Sequence, residues 1–240
     1  MTTFHELPLP NSEALHRSDL LTQKIRQEIN KKGYIPFSTF MEMALYDVDF
    51  GYYYTNPIIF GKQGDFITAA EISPLYAQCF AEQCKQIFEN LNARNLLELG
   101  AGTGKFANDL LITLDAQGFT PKQYYIYEIS PLLRQRQQAF LRSACPLLFD
   151  RFIWLDTLPS HFEGIIIANE VLDALPVSCF QIEDDEIRER DVTWQNNQLA
   201  WQTNKPTASQ LIEYVSTIKH LHAIPSTYYS EVSLHLPDFI

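Results

Sequence analysis

The sequence predicts an α/β fold: a mostly parallel sheet with flanking helices, an N-terminal helical extension ahead of it, and an antiparallel insert after it. Three observations lead there. Four short segments, LLEL, YYIYE, FIWLD and GIIIANE, are apolar almost throughout, the pattern of strands buried on both faces. Helical stretches lie between strands, as parallel pairing requires for its crossovers. Three alternating glycines, Gly100, Gly102 and Gly104, follow the first of these strands, so the backbone can turn tightly there with no side chain in the way.

In chain order, residues 1–12 read as a loose lead. From Glu13 to Lys31 the apolar residues Leu15, Leu20, Leu21, Ile25 and Ile29 recur at the spacing of a surface helix, and Gly33 stops it. A shorter helix over 38–45 turns Phe40, Met41 and Leu45 inward. The aromatic, turn-rich DVDFGYYYTN leads into the loop IIFGKQGDFIT, where Asn56-Pro57, Gly61 and Gly64 bar a long regular element. A helix over 74–90 follows, with Leu75, Cys79, Ile87 and Phe88 among its core positions. Strand LLEL then gives way to helix KFANDLLITLDAQ, ended by Gly118. Strand YYIYE precedes helix 131–142, opened by Pro131 at its first position. FIWLD and GIIIANE are the third and fourth strands, and NEVLDAL makes a brief helix before Pro176. SCFQIEDDEIRERDVTWQNNQLAWQ reads as an antiparallel insert, about 178–203, with its charged middle EDDEIRERD a solvated hairpin region. Residues 208–223 are helical up to Pro225, and YYSEVSLHLPDFI shows no evident closing element. This divides the chain into an N-terminal helical region, 1–92, and a sheet domain, 93–240.

Composition narrows the function classes. Twenty-nine acidic residues against 18 Lys and Arg give a formal charge of -11, with no basic run, which argues against a nucleic-acid binder. The four cysteines form no CxxC pair and suit reduced thiols; the six histidines show no HExxH spacing, so no metal site is expected. No apolar stretch reaches the roughly 18 residues of a membrane span. With no signal or transit pattern at the N-terminus, a cytoplasmic location is expected.

Four features carry candidate chemistry. The glycine turn Gly100–Gly104, with Ala101 and Thr103 between, follows Glu98 at a strand end and opens a helix whose amide ends face whatever sits above. A dinucleotide fingerprint would want a third glycine where Lys105 stands, and no GK[ST] follows for a P-loop. Glu128 ends the second strand, where a carboxylate can accept ribose hydroxyls; a nicotinamide cofactor would use the same device, and an exposed strand-end carboxylate is the plain alternative. A pyrophosphate framed by Glu98, Glu128 and Glu170 would meet like charge, a sulfonium or ammonium opposite charge. Asn169 and Glu170 end a buried strand with Asp173 three residues on, which puts two carboxylates at one cleft; alternatively Asn169 caps a helix and Asp173 is solvated. The polar loop GKQGDFITAAEISP offers Asp65, Thr68, Glu71 and Ser73 as pocket residues, though Thr68 or Ser73 serves equally as the cap of the next helix.

FGYYYTNP at 50–57, GDFITAAEISP at 64–74, LLELGAGTGKFANDLL at 96–111, YYIYEISPLLRQRQ at 124–137, NEVLDALPV at 169–177 and YYSEV at 228–232 together resemble the MidA/NDUFAF7 family of class I S-adenosylmethionine-dependent methyltransferases. The resemblance implies a Rossmann-like class I methyltransferase fold that binds S-adenosyl-L-methionine. It implies that the glycine loop meets the methionine part, with Glu98, Asn169 and Thr68 alongside, and that Glu128 holds the ribose. Mitochondrial members are similar to protein-arginine methyltransferases acting on a respiratory complex I subunit. A protein substrate is therefore expected, with Glu170 and Asp173, joined by Asp65 and Glu71, as catalytic carboxylates. Family members run longer, through a strand ending in a DYG-like motif. The last sheet strands are thus expected to be missing here, leaving an open sheet edge that favours a dimer. A cofactor-binding assembly protein without turnover is the alternative.

Overall fold

The computed structural model describes residues 10–55, 59 and 64–239, the last two as backbone only. Residues 1–9 of the expected lead, and the turn residues Asn56, Pro57 and Gly61, lie outside the described residues. The elements run α1 (Ser12–Lys32), β1 (Tyr34–Pro36), α2 (Phe37–Tyr46), α3 (Tyr52–Thr55), α4 (Ala69–Ile72), α5 (Leu75–Phe88), β2 (Asn95–Leu99), α6 (Lys105–Ala116), β3 (Gln123–Tyr127), α7 (Pro131–Ala144), β4 (Phe152–Leu155), β5 (Ile165–Ala168), β6 (Ser178–Glu183), β7 (Glu186–Gln195), β8 (Gln198–Asn204), α8 (Ser209–Leu221), β9 (Thr227–Val232) and α9 (Leu236–Phe239). They gather into two compact units, Tyr53–Ala174 and Met1–Tyr52 with Leu175–Ile240. The division falls at 52/53 and 174/175 rather than at 92/93.

The unit spanning 53–174 holds a four-stranded parallel sheet in the order β4-β3-β2-β5. In register, Leu96 lies opposite Tyr124 on one side and Ile165 on the other. Leu96, Leu110, Tyr124 and Ile126 are fully buried in its core. Each such Leu contributes roughly 1.5–3 kcal/mol by leaving water. The helix α5 joins this core, but of the four positions expected only Phe88 does so. Leu75, Cys79 and Ile87 are exposed; the buried stripe is Ala77, Ala81, Cys84 and Phe88. Small residues on this face let α5 approach α6 closely. At α7, Ser130 caps the first turn by accepting from the Leu133 N–H at 3.3 Å, and Pro131 follows it at the first helical position.

The other unit is built on α1 and an antiparallel sheet. Asn11 caps α1 by accepting from the Ala14 N–H at 2.8 Å; Gly33, at φ 85°, closes it with an N–H to Ile29 O. The sheet runs β1-β7-β6-β9, with β8 also on β7. Asp184-Asp185 and Asn196-Asn197 make the hairpin turns β6–β7 and β7–β8, all four with positive φ, the backbone that matches strand twist. The segment EDDEIRERD is not simply a solvated hairpin: Glu189 and Asp191 are buried in β7. Helix α8 ends at Leu221, ahead of Pro225, and β9 closes the segment 228–232 by pairing with β6. Among the described residues, no helix is long and apolar enough to cross a membrane.

Candidate functional site

All the sequence-predicted site residues lie in the unit 53–174. The glycine turn leaves β2 with Gly100, Gly102 and Gly104 at φ 65°, 55° and 82°, a left-handed backbone that side chains rarely tolerate. The Gly100 N–H donates to Tyr127 O at 2.9 Å, so the turn is pinned to the tip of β3. A Cβ on Gly100 would come within 3.2 Å of the Val171 side chain. The turn therefore needs glycine both for its backbone and for its approach to the segment after β5. Gly104 ends the turn as the residue before α6.

Two carboxylates flank this turn at the strand tips. Glu98 is buried and accepts from the Tyr124 hydroxyl at 2.8 Å. Burial pushes its carboxyl up to about 7, the neighbouring Glu128 charge adds to the shift, and the Tyr124 hydrogen bond opposes it. Glu128 is also buried. Its Oε1 accepts from the Ser130 N–H at 2.9 Å and its Oε2 from Gln137 Nε2 at 3.0 Å. Burial raises its carboxyl above the usual range, while those donors and the Arg134 charge pull it back. A shallow depression of about 180 Å³ opens beside it, lined by Ile129, Pro131, Arg134, Gln135 and Gln138.

After β5, Asn169 accepts from the Tyr76 hydroxyl at 2.6 Å, so its side chain ties β5 to α5. Glu170 is exposed with φ 55°, a left-handed backbone at a non-glycine residue, the kind of strain that gathers at functional sites. Asp173 is exposed in a short 3-10 turn, Leu172–Ala174, rather than one turn along an α-helix. Burial raises the Tyr53 phenol above its ordinary range, and the charges of Glu128 and Asp173 add to the shift. From the polar loop, Glu71 accepts from the Thr103 hydroxyl at 2.5 Å, and the same hydroxyl accepts from the Lys105 N–H at 3.2 Å. Glu71 thus latches onto the glycine turn. Thr68 precedes α4 without a side-chain cap bond, whereas the Ser73 hydroxyl accepts from the Leu75 N–H at 3.2 Å. Asp65 is exposed on the approach to α4.

Tyr53, Tyr76, Tyr124, Ser130 and Gln137 join the site beyond the residues expected there. Tyr124 had a signal: when YYIYE pairs with LLEL in parallel, Ile126 lies opposite Glu98 and Tyr124 shares the face of Ile126. Chemically, the turn offers close backbone approach. Glu98 offers a buried carboxylate whose donor among the described residues is one tyrosine. Glu128 offers an acceptor with lone pairs to spare.

Residues 79–240 match the family described as "Putative S-adenosyl-L-methionine-dependent methyltransferase". A Drosophila melanogaster protein named protein arginine methyltransferase NDUFAF7 homolog, mitochondrial, is 29% identical over 211 residues, covering 77% of this chain and 47% of its own. Its Danio rerio counterpart is 28% identical over 204 residues, covering 75% and 47%. A Burkholderia thailandensis crystal structure with bound S-adenosyl-homocysteine superposes with a TM-score of 0.86 at 35% identity, over 95% of this chain and 59% of that one. The chain spans about half the length of the curated relatives it matches.

Proposed function

The chain belongs to the MidA/NDUFAF7 family of class I S-adenosylmethionine-dependent methyltransferases, and from that premise we propose that it binds S-adenosyl-L-methionine at the glycine turn and methylates a side-chain nitrogen of a protein, arginine in the first instance. The observation that carries this reading is Glu98: a buried carboxyl at a strand tip beside a bare left-handed turn, which the cationic methionine end of that cofactor would hold in its ionised form. Pyrophosphate would meet like charge there.

The residues present fit the group. Gly100, Gly102 and Gly104 all hold a left-handed backbone, so the turn presents main chain with no side chain in the way of a ligand. Glu128 accepts from the Ser130 and Ile129 N–H groups and from Gln137, and a carboxylate with about four acceptor sites keeps capacity for a ribose hydroxyl. When bound, the cofactor supplies an electrophilic methyl on its sulfonium. The rest is orientation by this chain. A guanidinium holds its proton below about pH 12 and delocalises its lone pair. Glu170 and Asp173 would orient it by charge-assisted hydrogen bonds, and one of these carboxylates would take the proton that the nitrogen loses as it gains the methyl, with Asp65 at the approach. Glu71 serves by holding Thr103 and the turn. The arginine assignment draws on the names of the Drosophila and Danio relatives.

Calorimetric titration with S-adenosyl-homocysteine and, separately, with NAD tests the binding. Micromolar uptake of the first and none of the second is expected; selective uptake of NAD overturns the reading. Transfer of a labelled methyl from the cofactor to arginine in added protein then separates an enzyme from a cofactor-binding protein without turnover.

A further inference from the structure

Gln137 is fully buried in the middle of α7, between Leu133 and Leu141 on the helix's inward stripe. A long amide there must find partners for all its polar atoms. It does. Its Nε2 donates to Gly102 O at 3.0 Å and to Glu128 Oε2 at 3.0 Å. Its Oε1 accepts from the Trp154 indole N–H at 3.0 Å. The amide's orientation follows from chemistry: two acceptors face the nitrogen, and a donor-only indole faces the oxygen. One side chain thereby joins the glycine turn, the tip of β3 and strand β4.

We infer that Gln137 is the positioning residue of the cofactor site, fixing the glycine turn relative to the ribose-holding carboxylate and holding Glu128 ready to accept a vicinal diol. This rests on the function proposed above. The reasoning is electrostatic and geometric. Glu128 meets the charges of Glu98 from β2 and Arg134 from α7 and the Tyr53 phenol, so its charge is contested from several sides. The Gln137 N–H favours the carboxylate, which accepts hydroxyls, over the carboxylic acid, which spends an oxygen as a donor. Through its second N–H the same amide turns the Gly102 carbonyl toward α7. Losing the amide would release both halves of the site at once.

The test is Gln137→Met, an unbranched apolar replacement of similar size, with S-adenosyl-homocysteine as probe. Wild type and variant are titrated from pH 5 to pH 8, alongside Glu128→Gln and the double variant. Affinity is expected to fall about tenfold or more in Gln137→Met. In the Glu128→Gln background the same change should cost measurably less, since only the bond to Gly102 is then left to lose. Without its donor Glu128 protonates at higher pH, so the acid-side loss of affinity that Glu128 adds to that of Glu98 should begin at higher pH in Gln137→Met than in wild type. A purely structural role would lower thermal stability without moving that onset. Equal affinity and an unmoved onset in a folded variant overturn the inference while wild-type binding keeps the proposed function. Failure of wild type to bind the probe overturns both. Should Gln137→Met not fold, Trp154→Phe, which frees the amide oxygen, decides: a raised onset supports the inference and an unmoved one overturns it.

Discussion

Each compact unit buries a pair of acidic side chains, and the two pairs are set up differently. Glu98 and Glu128 sit at the C-terminal tips of parallel strands, next to a turn of bare backbone. Glu189 and Asp191 sit along β7 of the antiparallel sheet. There Thr207 donates twice to Glu189 Oε2, at 2.8 and 2.9 Å, and Asn204 donates to Asp191 Oδ2 at 2.7 Å. The buried Oδ1 of Asp191 has no hydrogen-bond partner among the described residues. Burial is the main cause of a raised carboxyl in both units, at about 7 for Glu98 and about 6 for Asp191. The difference is access. A strand-tip acid beside a glycine turn can recover its desolvation cost from a ligand, whereas an acid within the sheet bears that cost permanently. Buried charge by itself therefore does not mark a site; its position relative to strand ends and turns does.

The sharpest way to break this contrast is Gly102→Val. A β-branched residue at φ 55° is strained, and the turn would lose its backbone approach. S-adenosyl-homocysteine binding should become undetectable by calorimetry; retained binding would place the ligand elsewhere. Next in size is Glu170→Gln. It should cut methyl transfer by about 100-fold, the scale of a lost charged orienting group, with cofactor affinity within about twofold of wild type. Equal turnover in a matched assay removes Glu170 from catalysis.

Proton linkage gives a smaller effect with opposite consequences in the two units. The Glu98 carboxyl titrates at about 7, above its ordinary value, so the folded protein without ligand holds its proton and loses stability as pH rises through 7. A cationic ligand prefers the carboxylate. Its affinity should therefore be full above pH 7 and fall by up to about tenfold per pH unit below it, with protons released on binding near pH 7. Calorimetry in buffers of different ionisation enthalpy reads that release, and none would detach Glu98 from the site. Asp191 has no such ligand. Asp191→Asn keeps an acceptor for Asn204 and removes the charge, so it should stabilise the protein by about 1–3 kcal/mol at pH 7.5. The gain should shrink as pH falls through about 6, where Asp191 takes up its proton, and binding should stay unchanged. Destabilisation at pH 7.5 would show that the sheet needs the charge.

Much of this was legible in the residues. The parallel strands were visible because burial on both faces leaves apolar runs, and the turn was visible because its backbone demands glycines at three alternate positions. Pairing of β1 with β7 was not, since Ile35 meets Val192 across a sequence gap that no local pattern spans. The inward face of α5 is legible at Phe88 and not at Ala77 and Ala81, which are small, whereas periodicity weights the larger, exposed Leu75 and Ile87. EDDEIRERD looked solvated because charge alone does not reveal that Glu189 and Asp191 alternate onto one buried face. Gln137 did leave a trace: a polar residue four positions from each of two leucines on the buried stripe of α7. The roles of Asp65 and Glu71 depend on loop geometry that composition does not encode. Glu71 turned out to hold Thr103.

A crystal structure of this chain with S-adenosyl-homocysteine tests the central claim most directly. The account predicts the ribose diol on Glu128 and the amino-acid end of the ligand against Gly100–Gly104, with Gln137 still joining Gly102 to Glu128. Ligand density away from the turn, or a ribose that makes no contact with Glu128, would contradict it.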